Sequence, residues 1–473
     1  MAGESSGSPP PAQCLGNGAA PRRNGAAPRI RRADLGIRRR RARDADRLAP
    51  GCSAPPVPGF SFATGNVKKL AAVPLYALGA AASVLIPRSD DLWVFGCGSG
   101  IGEGSLALFR YARQTDAGLR LTWLARDDRD LATATALGIP AVLKSSRRGL
   151  WLTLRARVAV VTHGFGDANR YGLRGTVVVQ LWHGIPLKLI QLDSAATTRI
   201  SVPLLSAQLR GLLRRFYRGG YRAIALMPAA SELVASRLRT AFALPADRVV
   251  VTGDPRDDVL SSGDPLEREQ TARAALATAL EVEIGDARVL LYAPTWRDGE
   301  ADPAIPTAAE WSRIDAWLHE TGAVLILRPH PNGVGDYAAG IAGSGRIHLL
   351  SSTRQSDLTP LLSAVHLLIT DYSSVAFDYS LTGGPILFIA PDEEAYTDSR
   401  GLYEPYREFS GGREVRTWTG ILDQLAFYDA NAQWAAQVRA HSAALETRHF
   451  TFRDGRNTER VYFELVRRLR ALQ

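Results

Sequence analysis

Short apolar runs alternate with longer amphipathic stretches from Leu92 to the end of the chain. The runs are typical of strands buried on both faces, and the stretches between them are typical of helices. We predict strands at Leu92–Phe95, Leu119–Leu124, Val158–Thr162, Val177–Leu181, Ala223–Met227, Val249–Thr252, Val289–Tyr292, Val324–Leu327 and Val365–Ile369, and helices at Leu106–Arg113, Asp130–Leu137, Ser146–Ala156, Ser231–Phe242 and Val375–Leu381. Strand, turn and helix in repeated order predict an α/β fold with doubly wound parallel sheets.

A polar, Arg-rich connection over residues 191–220 interrupts this series. We place a domain boundary there, which divides the chain into two Rossmann-like domains at 91–215 and 216–473. The last helices are expected to close the second domain. The two domains are predicted to face each other across a cleft.

The longest uncharged run, Leu70–Ile86, lies between Lys68 and Lys69 on one side and Arg88 on the other. A helix of this length covers about 25 Å, which falls short of a hydrocarbon core. Residues 67–90 are therefore predicted to form an apolar helix on an anionic membrane surface. A plain core helix is the alternative.

The net charge of +10 invites a nucleic-acid interpretation, but most of it lies in the first 60 residues, where eleven Arg and four acids give 11 − 4 = +7. Residues 1–66 are predicted to be a disordered basic tail. The three cysteines offer no disulfide framework and no metal-binding spacing, which favours a reducing compartment. Binding of nucleic acid or a membrane through the tail remains a non-enzymatic alternative, and we expect no nucleic-acid partner.

Four successive predicted strands end in cationic or hydroxyl side chains. The residues concerned are Arg256, then Thr295 and Arg297, then Arg328 and His330, and then Ser373 and Ser374, which follow the acid Asp371. Such donors suit a diphosphate, and Ser373 or Ser374 can cap a helix whose N-terminus favours an anion. Taken alone, the last strand end is also compatible with an ordinary capped junction. No pair of acids spaced to hold a metal follows these strands, so we expect neither a metal nor a cofactor.

The Val177 strand runs directly into Trp182, His183, Gly184 and, further on, Lys188. An imidazole at the carboxyl end of a parallel strand is well placed for proton transfer. A hydrogen-bonded structural histidine is the alternative. The glycine-rich turn GCGSGIGEG, residues 96–104, lacks the spacing of a dinucleotide fingerprint and predicts a flexible loop.

Several of these segments resemble motifs of the CDP-glycerol glycerophosphotransferases, enzymes of the glycosyltransferase B architecture that build teichoic-acid-type polymers. WHGIPLK is similar to the family's HGTPLK-type element with Ile185 in the Thr position, and GDPRDDVL is similar to its PRND-type element with Asp257 where Asn is usual. APTWRD, LRPHP, ITDYSSVAFDY, PILFIAPDEEAY, RGLYEPY and FRDGRNTER match as they stand. The resemblance runs from about Leu70 to Val466.

The resemblance implies transfer of glycerol phosphate from CDP-glycerol to a lipid-linked or polymeric polyol-phosphate acceptor, with release of CMP, at the cytoplasmic face of the plasma membrane. It implies that 91–215 is the acceptor side and 216–473 the nucleotide-donor side. His183 would be the base, with Gly184 and Lys188 beside it, and His330 would stabilise the diphosphate. Ser373, Ser374, Arg328, Thr295, Arg297, Arg256 and Asp371 would form the donor site, and Asp378 would approach the glycerol hydroxyls. The alternative is a transferase of the same architecture with CDP-ribitol or a nucleotide sugar as donor.

Overall fold

The computed structural model of the protein describes residues 72–198, 206–297, 300–330, 333 and 335–472. All of them belong to one compact unit, residues 59–473. The predicted tail (1–66), the start of the predicted apolar helix with Lys68 and Lys69, and the motif residues Asp298 and Pro331 lie outside the described residues. Within the described part, the predicted α/β fold with parallel sheets is confirmed.

The first sheet has seven parallel strands in the order β3-β2-β1-β4-β5-β6-β7. They are β1 Ser89–Phe95, β2 Arg120–Ala125, β3 Ala141–Leu143, β4 Ala156–Val161, β5 Val177–Gln180, β6 Ile224–Ala229 and β7 Val249–Val251. Strand order reverses between β1 and β4, because the chain first builds outward to β3 and then returns to the other side of β1. Such a switch point opens a crevice beyond the strand ends, where α/β proteins bind ligands.

The second sheet has five parallel strands in the order β10-β9-β8-β11-β12. They are β8 Val289–Ala293, β9 Val324–Leu327, β10 Ile347–Leu349, β11 Leu367–Thr370 and β12 Ile386–Phe388. Its switch point lies between β8 and β11, which pair from Leu290 with Leu367 to Ala293 with Thr370. Strands β8, β9, β11 and β12 are wholly buried, as their continuous apolar runs predict, whereas the edge strand β10 is partly exposed.

Helices cover both sheets. In chain order they are α1 Val73–Leu85, α2 Glu103–Thr115, α3 Asp128–Ala136, α4 Arg147–Arg155, α5 Ser206–Tyr221, α6 Glu232–Phe242, α7 Asp258–Ser261, α8 Pro265–Leu280, α9 Ala308–Thr321, α10 Ala338–Gly343, α11 Val375–Ser380, α12 Glu393–Arg400, α13 Tyr406–Ser410, α14 Trp418–Ala430, α15 Ala432–His449 and α16 Asn457–Arg470. Most begin with a side-chain cap where the sequence offers Ser, Thr, Asp or Asn, as Ser231 does for α6.

The sheet assignment that accompanied the predicted boundary at 215/216 is wrong. Strands β6 and β7 were expected in the second domain, but β6 pairs with β5 and β7 pairs with β6. The Arg-rich connection thus joins two strands of one sheet through α5. Arg256, which follows β7, accordingly projects from the first sheet and not from the second. As a division into domains, 91–215 and 216–473 stays a prediction.

The last helix, α16, returns to the first sheet. Val461, Tyr462 and Leu465 are buried in the core beside Trp93 of β1. The ring of Tyr462 lies 6.0 Å from that of Trp93 and 5.3 Å from that of Tyr111 on α2. The end of the chain therefore completes the core of the first sheet.

Helix α1 contacts the segment around Tyr171 through a narrow face whose buried residue is Gly79. A Cβ on Gly79 would lie 2.1 Å from the carbonyl oxygen of Tyr171, so only glycine allows this approach. The other face carries Leu78, Val84 and Leu85, whose exposed fractions are 68%, 78% and 82%. Among the described residues no helix combines the length and the apolar character needed to cross a membrane.

Candidate active site

The turn after β5 brings His183 against the strand ends. Trp182 has φ +65° and Gly184 has φ +126°, both outside the region that most side chains adopt. A Cβ on Gly184 would lie 2.7 Å from Nη1 of Arg256 and 3.6 Å from Oγ of Ser374. The turn is therefore tight, and it places residues from both sheets side by side.

The ring of His183 is held between two aromatic rings. It stacks on His163 with centroids 4.2 Å apart and planes 4° apart, and it lies 4.1 Å from the ring of Trp182. Its Nδ1 is buried and makes no hydrogen bond within the described residues. Burial, followed by His163 and Arg256, lowers the pKa of His183 well below its ordinary value. The imidazole is therefore neutral at neutral pH and can accept a proton.

Arg256 connects the two sheets. Its Nη2 donates to Oγ1 of Thr359 at 2.8 Å and to Oδ2 of Asp378 at 2.9 Å. Burial lowers the pKa of Arg256, but Asp378 and Glu103 more than offset it and raise that pKa overall. Burial raises the pKa of Asp378 to about 6, although Arg256 opposes the shift.

Asp257 stands where the resembling family has asparagine, and its environment reduces the difference. The side chain is buried, and Oδ1 makes no hydrogen bond within the described residues. Burial and the neighbouring Asp254 raise the pKa of Asp257 well above its ordinary value. A neutral carboxylic acid has nearly the shape of an asparagine amide and no charge. The departure from the family pattern thus changes hydrogen bonding more than charge.

A second group of predicted residues lies at the switch point of the second sheet. The N–H of Thr295 donates to Oδ1 of Asp371 at 2.8 Å, and Oγ1 of Thr295 is buried without a partner within the described residues. Arg297 pairs with Asp371 at 2.6 Å and with Asp392 at 2.8 Å. Two carboxylates therefore neutralise Arg297. It is less available to bind a phosphate than the neighbouring cations Lys188 and Arg328 are.

Three basic side chains lie close together beyond the end of β9. Burial, followed by Lys188 and Arg328, lowers the pKa of His330 to about 4. Burial lowers the pKa of Lys188 to about 8 and that of Arg328 to about 10. Arg328 donates to the carbonyl oxygens of Leu350 and Ser356 at 3.1 and 3.3 Å. Burial is the largest cause of the lowered pKa values in this basic group, Lys188, Arg328 and His330. The carboxylates of Asp371 and Asp357 offset it only in part for Lys188 and Arg328.

A small cavity of about 10 Å³ lies beside the basic group. Thr295, Trp296, His330 and Tyr337 line it, and the rings of Trp296 and His330 stack with centroids 5.7 Å apart. The pocket combines an aromatic wall with polar strand ends. At this volume it has room for about one water molecule, so a larger ligand requires the lining side chains to move.

Ser373 and Ser374 precede α11, as predicted. Oγ of Ser373 accepts the N–H of Val375 at 3.4 Å, whereas Ser374 occupies the cap position with no hydrogen bond from its side chain to the helix. Helix α11 has only six residues, so the serines and the cations contribute more to any anion site than its dipole does. The structure thus brings His183, Gly184, Arg256, Ser374 and Asp378 into one group, and Lys188, Thr295, Arg297, Arg328, His330 and Asp371 into another.

Sequence reasoning missed several residues around these two groups. Glu103 and Asp254 raise the pKa of Arg256, and Asp357 and Glu103 raise the pKa of its partner Asp378. Asp357 also accepts the backbone N–H of Glu103 at 2.7 Å. His163 was missed although it follows a predicted strand. Examining the end of Val158–Thr162, as was done for the Val177 strand, would have found it.

The comparisons with known proteins agree on one family. The sequence model of the CDP-Glycerol:Poly(glycerophosphate) glycerophosphotransferase family matches residues 82–467. The teichoic acid ribitol-phosphate polymerase TarK of Staphylococcus aureus is 28% identical over 237 residues, which cover 48% of this chain and 42% of TarK. The teichoic acid glycerol-phosphate transferase of the same organism is 27% identical over 338 residues, which cover 68% of this chain and 79% of that protein. The chain thus spans less than half of TarK's length.

Solved structures show the same fold. The wall teichoic acid polymerase TagF superposes with a TM-score of 0.65 at 20% identity, over 87% of this chain and 98% of that chain. A histidine-to-asparagine variant of TagF soaked with CDPG gives a TM-score of 0.66 at 20% identity, over 87% of this chain and 97% of that chain. At this identity the likeness concerns the fold.

Proposed function

Because the chain belongs to the CDP-glycerol:poly(glycerophosphate) glycerophosphotransferase family, we propose that it transfers glycerol phosphate from CDP-glycerol to a hydroxyl of a lipid-linked or polymeric polyol-phosphate acceptor. CMP is the other product, and the polymer is of the teichoic acid type. The observation that carries the proposal is the basic group. Burial lowers the pKa values of Lys188, Arg328 and His330. The negative charge of a bound diphosphate stabilises the charged forms of these side chains.

In this proposal the acceptor oxygen attacks the phosphorus that carries the glycerol. A new P–O bond forms, the P–O bond to CMP breaks, and CMP leaves with the electron pair. His183 takes the acceptor proton, because its ring is neutral and its Nδ1 has no partner within the described residues. A bound diphosphate opposes the positive influence of Arg256 and raises the pKa of His183 toward the range that suits a general base.

Lys188, Arg328 and His330 bind the diphosphate, with the hydroxyl groups of Thr295, Ser373 and Ser374 completing the donor site. Burial is the main cause of the lowered pKa of His330; the negative charge of a bound diphosphate opposes the smaller influence of Lys188 and Arg328 and so raises that pKa. These contacts neutralise charge on the departing CMP. Asp378 reaches the glycerol hydroxyls from its position beside Arg256.

The two sheets correspond, in the proposal, to the two Rossmann-like domains of a glycosyltransferase B architecture. The first carries the base and the acceptor, and the second carries the nucleotide donor. Closure of the cleft excludes water, which otherwise hydrolyses the donor. No metal or cofactor is invoked for this donor chemistry.

We propose peripheral attachment to the cytoplasmic face of the plasma membrane through α1 and α5. The ring of Tyr76 on α1 lies 6.1 Å from that of Phe216 on α5, so the two helices lie side by side. α1 presents exposed aliphatic side chains, while α5 presents the exposed cations Arg214, Arg215 and Arg218. An apolar strip beside a row of cations suits an anionic bilayer surface.

CDP-ribitol is the second candidate donor, because TarK and other relatives carry ribitol-phosphate names. A nucleotide sugar is a more distant candidate. The test is release of CMP or UDP from a panel of CDP-glycerol, CDP-ribitol and UDP-sugars, each with a defined polyol-phosphate lipid acceptor. We expect acceptor-dependent CMP release from CDP-glycerol. CMP release from CDP-ribitol alone would mean that CDP-ribitol is the donor. Release of UDP alone would contradict the proposed transfer of a polyol phosphate.

A further inference from the structure

The switch point of the first sheet carries three residues of metal-binding type. Cys97 follows β1, His163 follows β4, and these neighbouring parallel strands end at the same edge of the sheet. Glu103 begins α2, the helix that leads away from β1. One potential ligand atom from each residue lies within 4.8 Å of the other two. Crevices at switch points are the usual ligand sites of such sheets.

The backbone is shaped to bring these side chains together. A Cβ on Gly98 would lie 2.5 Å from Cγ of His163, so glycine is required for the ring to approach the loop. Glu103 has φ +52°, a strained conformation for a residue other than glycine. Strain of this kind is often found at functional sites.

The carboxylate of Glu103 is only half satisfied. Oε1 accepts the hydroxyl of Ser99 at 2.8 Å, whereas Oε2 is buried and has no hydrogen-bond partner within the described residues. A buried, unpaired carboxylate oxygen is costly, and a cation bound there would remove the cost. The thiol of Cys97 is buried 2.9 Å from Oγ of Ser99.

We propose that Cys97, Glu103 and His163 bind one divalent transition-metal ion, with Zn²⁺ the best match. A thiolate, an imidazole and a carboxylate form a mixed set that Zn²⁺ accepts in tetrahedral geometry. Three protein ligands leave a fourth position for water or another oxygen ligand. Oγ1 of Thr162 lies 2.8 Å from Nδ1 of His163 and orients the ring, as partners outside the ligand set do in metal sites.

The ion would lie next to the candidate base, because His163 stacks on His183. Burial and Glu103 raise the pKa of the Cys97 thiol, and metal binding would displace that proton. The site is distinct from the donor site in the second sheet. Metal binding can therefore be tested without the donor and does not depend on the proposed reaction.

The experiment measures Zn²⁺ binding by equilibrium dialysis, and Co²⁺ binding by absorption spectroscopy, on the full chain. Wild type is expected to bind one equivalent, to melt at higher temperature with Zn²⁺, and to show a thiolate-to-Co²⁺ charge-transfer band. Cys97→Ser should lose the band and weaken binding at least tenfold. Glu103→Gln, which preserves shape, should weaken binding and abolish the Zn²⁺-dependent rise in melting temperature.

The matched control is the double variant Cys14→Ser with Cys52→Ser, which removes the two other thiols of the chain. It should bind like wild type. The proposal is overturned if the control loses the stoichiometric ion, or if the Co²⁺ band persists in Cys97→Ser. A wild-type protein that binds no ion also overturns the proposal. Should Cys97→Ser fail to fold, Glu103→Gln and the control still decide.

Discussion

Arg256 donates a hydrogen bond to Asp378 at 2.9 Å, and this ion pair joins the loop after the last strand of the first sheet to helix α11 of the second sheet. Both side chains are nearly inaccessible to solvent, with 11% and 5% of their surfaces exposed. Removing one partner from a buried pair leaves the other charge without compensation. The pair is therefore important for stability as well as for the position of the site.

Arg256→Met should destabilise the protein by about 3 kcal/mol at pH 8, because the carboxylate of Asp378 stays buried without its cation. Burial already raises the pKa of Asp378 to about 6, so the folded state takes up a proton more readily than the unfolded state. Protonation relieves the buried charge, and the loss should shrink as pH falls from 8 to 5. Urea unfolding at both pH values measures the difference.

Two variants serve as references for this experiment. Adding Asp378→Asn to Arg256→Met should recover part of the lost stability at pH 8. Arg120→Met breaks the exposed pair with Asp91, which solvent screens, and should change the free energy of unfolding far less than Arg256→Met does. A double variant no more stable than Arg256→Met would contradict the interpretation.

The two histidines of the site should differ in their kinetic defects. His183→Ala should lower transfer by roughly two to four orders of magnitude and leave the Kd of CDP-glycerol nearly unchanged, since a base acts in the transition state. His330→Ala and Arg328→Met should weaken donor binding as well as transfer. Calorimetric binding and CMP release on each folded variant separate the two effects.

The exposed His319 on α9 provides the control for both variants, because its ring lies away from the pocket residues. His319→Ala should behave like wild type. If His183→Ala loses donor affinity as strongly as His330→Ala, then His183 belongs to the donor site and the assignment of the base is wrong.

Donor affinity should depend on pH through Lys188. Burial lowers the pKa of Lys188 to about 8, so the free protein loses this charge as pH rises through that value. Binding of a diphosphate then requires proton uptake, and affinity should fall up to about tenfold per pH unit above 8. Lys188→Arg keeps its charge and should flatten the profile between pH 8 and 9.5. Equal profiles for the two proteins would rule out a direct contact between Lys188 and the donor.

Membrane binding should depend on the exposed face of α1. Leu78→Asp with Leu85→Asp should reduce sedimentation with anionic vesicles at least tenfold, because each buried aliphatic side chain contributes about 1.5–3 kcal/mol. Arg214→Glu with Arg215→Glu should abolish the preference for anionic over zwitterionic lipid. Phe427→Asp changes an exposed apolar residue on α14 and should have no effect. Vesicle binding that is unchanged in both the leucine and the arginine double variants would exclude this surface.

The sequence predicted the strands well because strands of parallel sheets are continuous apolar runs. Val324–Leu327 was predicted with both ends correct, and the family resemblance is confirmed by the match over residues 82–467. Strands β3, β10 and β12 were missed, since each has only three residues and lacks the unbroken β-branched run that revealed the equally short β7. The sheet membership of β6 and β7 was wrong, because a polar connection looks the same within a sheet as between two sheets.

The partners within the site were harder to predict than its residues. Arg297 and Arg256 both follow strand ends, yet Arg297 pairs with two carboxylates and Arg256 with Asp378 and Thr359. No spacing rule distinguishes such a cation from one that is available to a ligand. The proximity of Cys97 to His163 was missed because 66 positions separate the two residues, and only strand order makes them neighbours.

The return of α16 to the first sheet has a consequence for biosynthesis. Tyr462 and Trp93 touch although about 370 positions separate them along the chain. While the ribosome still holds the α16 segment, the face of β1 and α2 that this helix covers stays open to water. The strands of the second sheet all lie between Val289 and Phe388, and its core is complete once α14 and α15 have formed, which end at His449 and so precede α16. We expect the nascent chain to acquire protease resistance first in its later half, with the earlier half protected only after residues 461–465 have emerged.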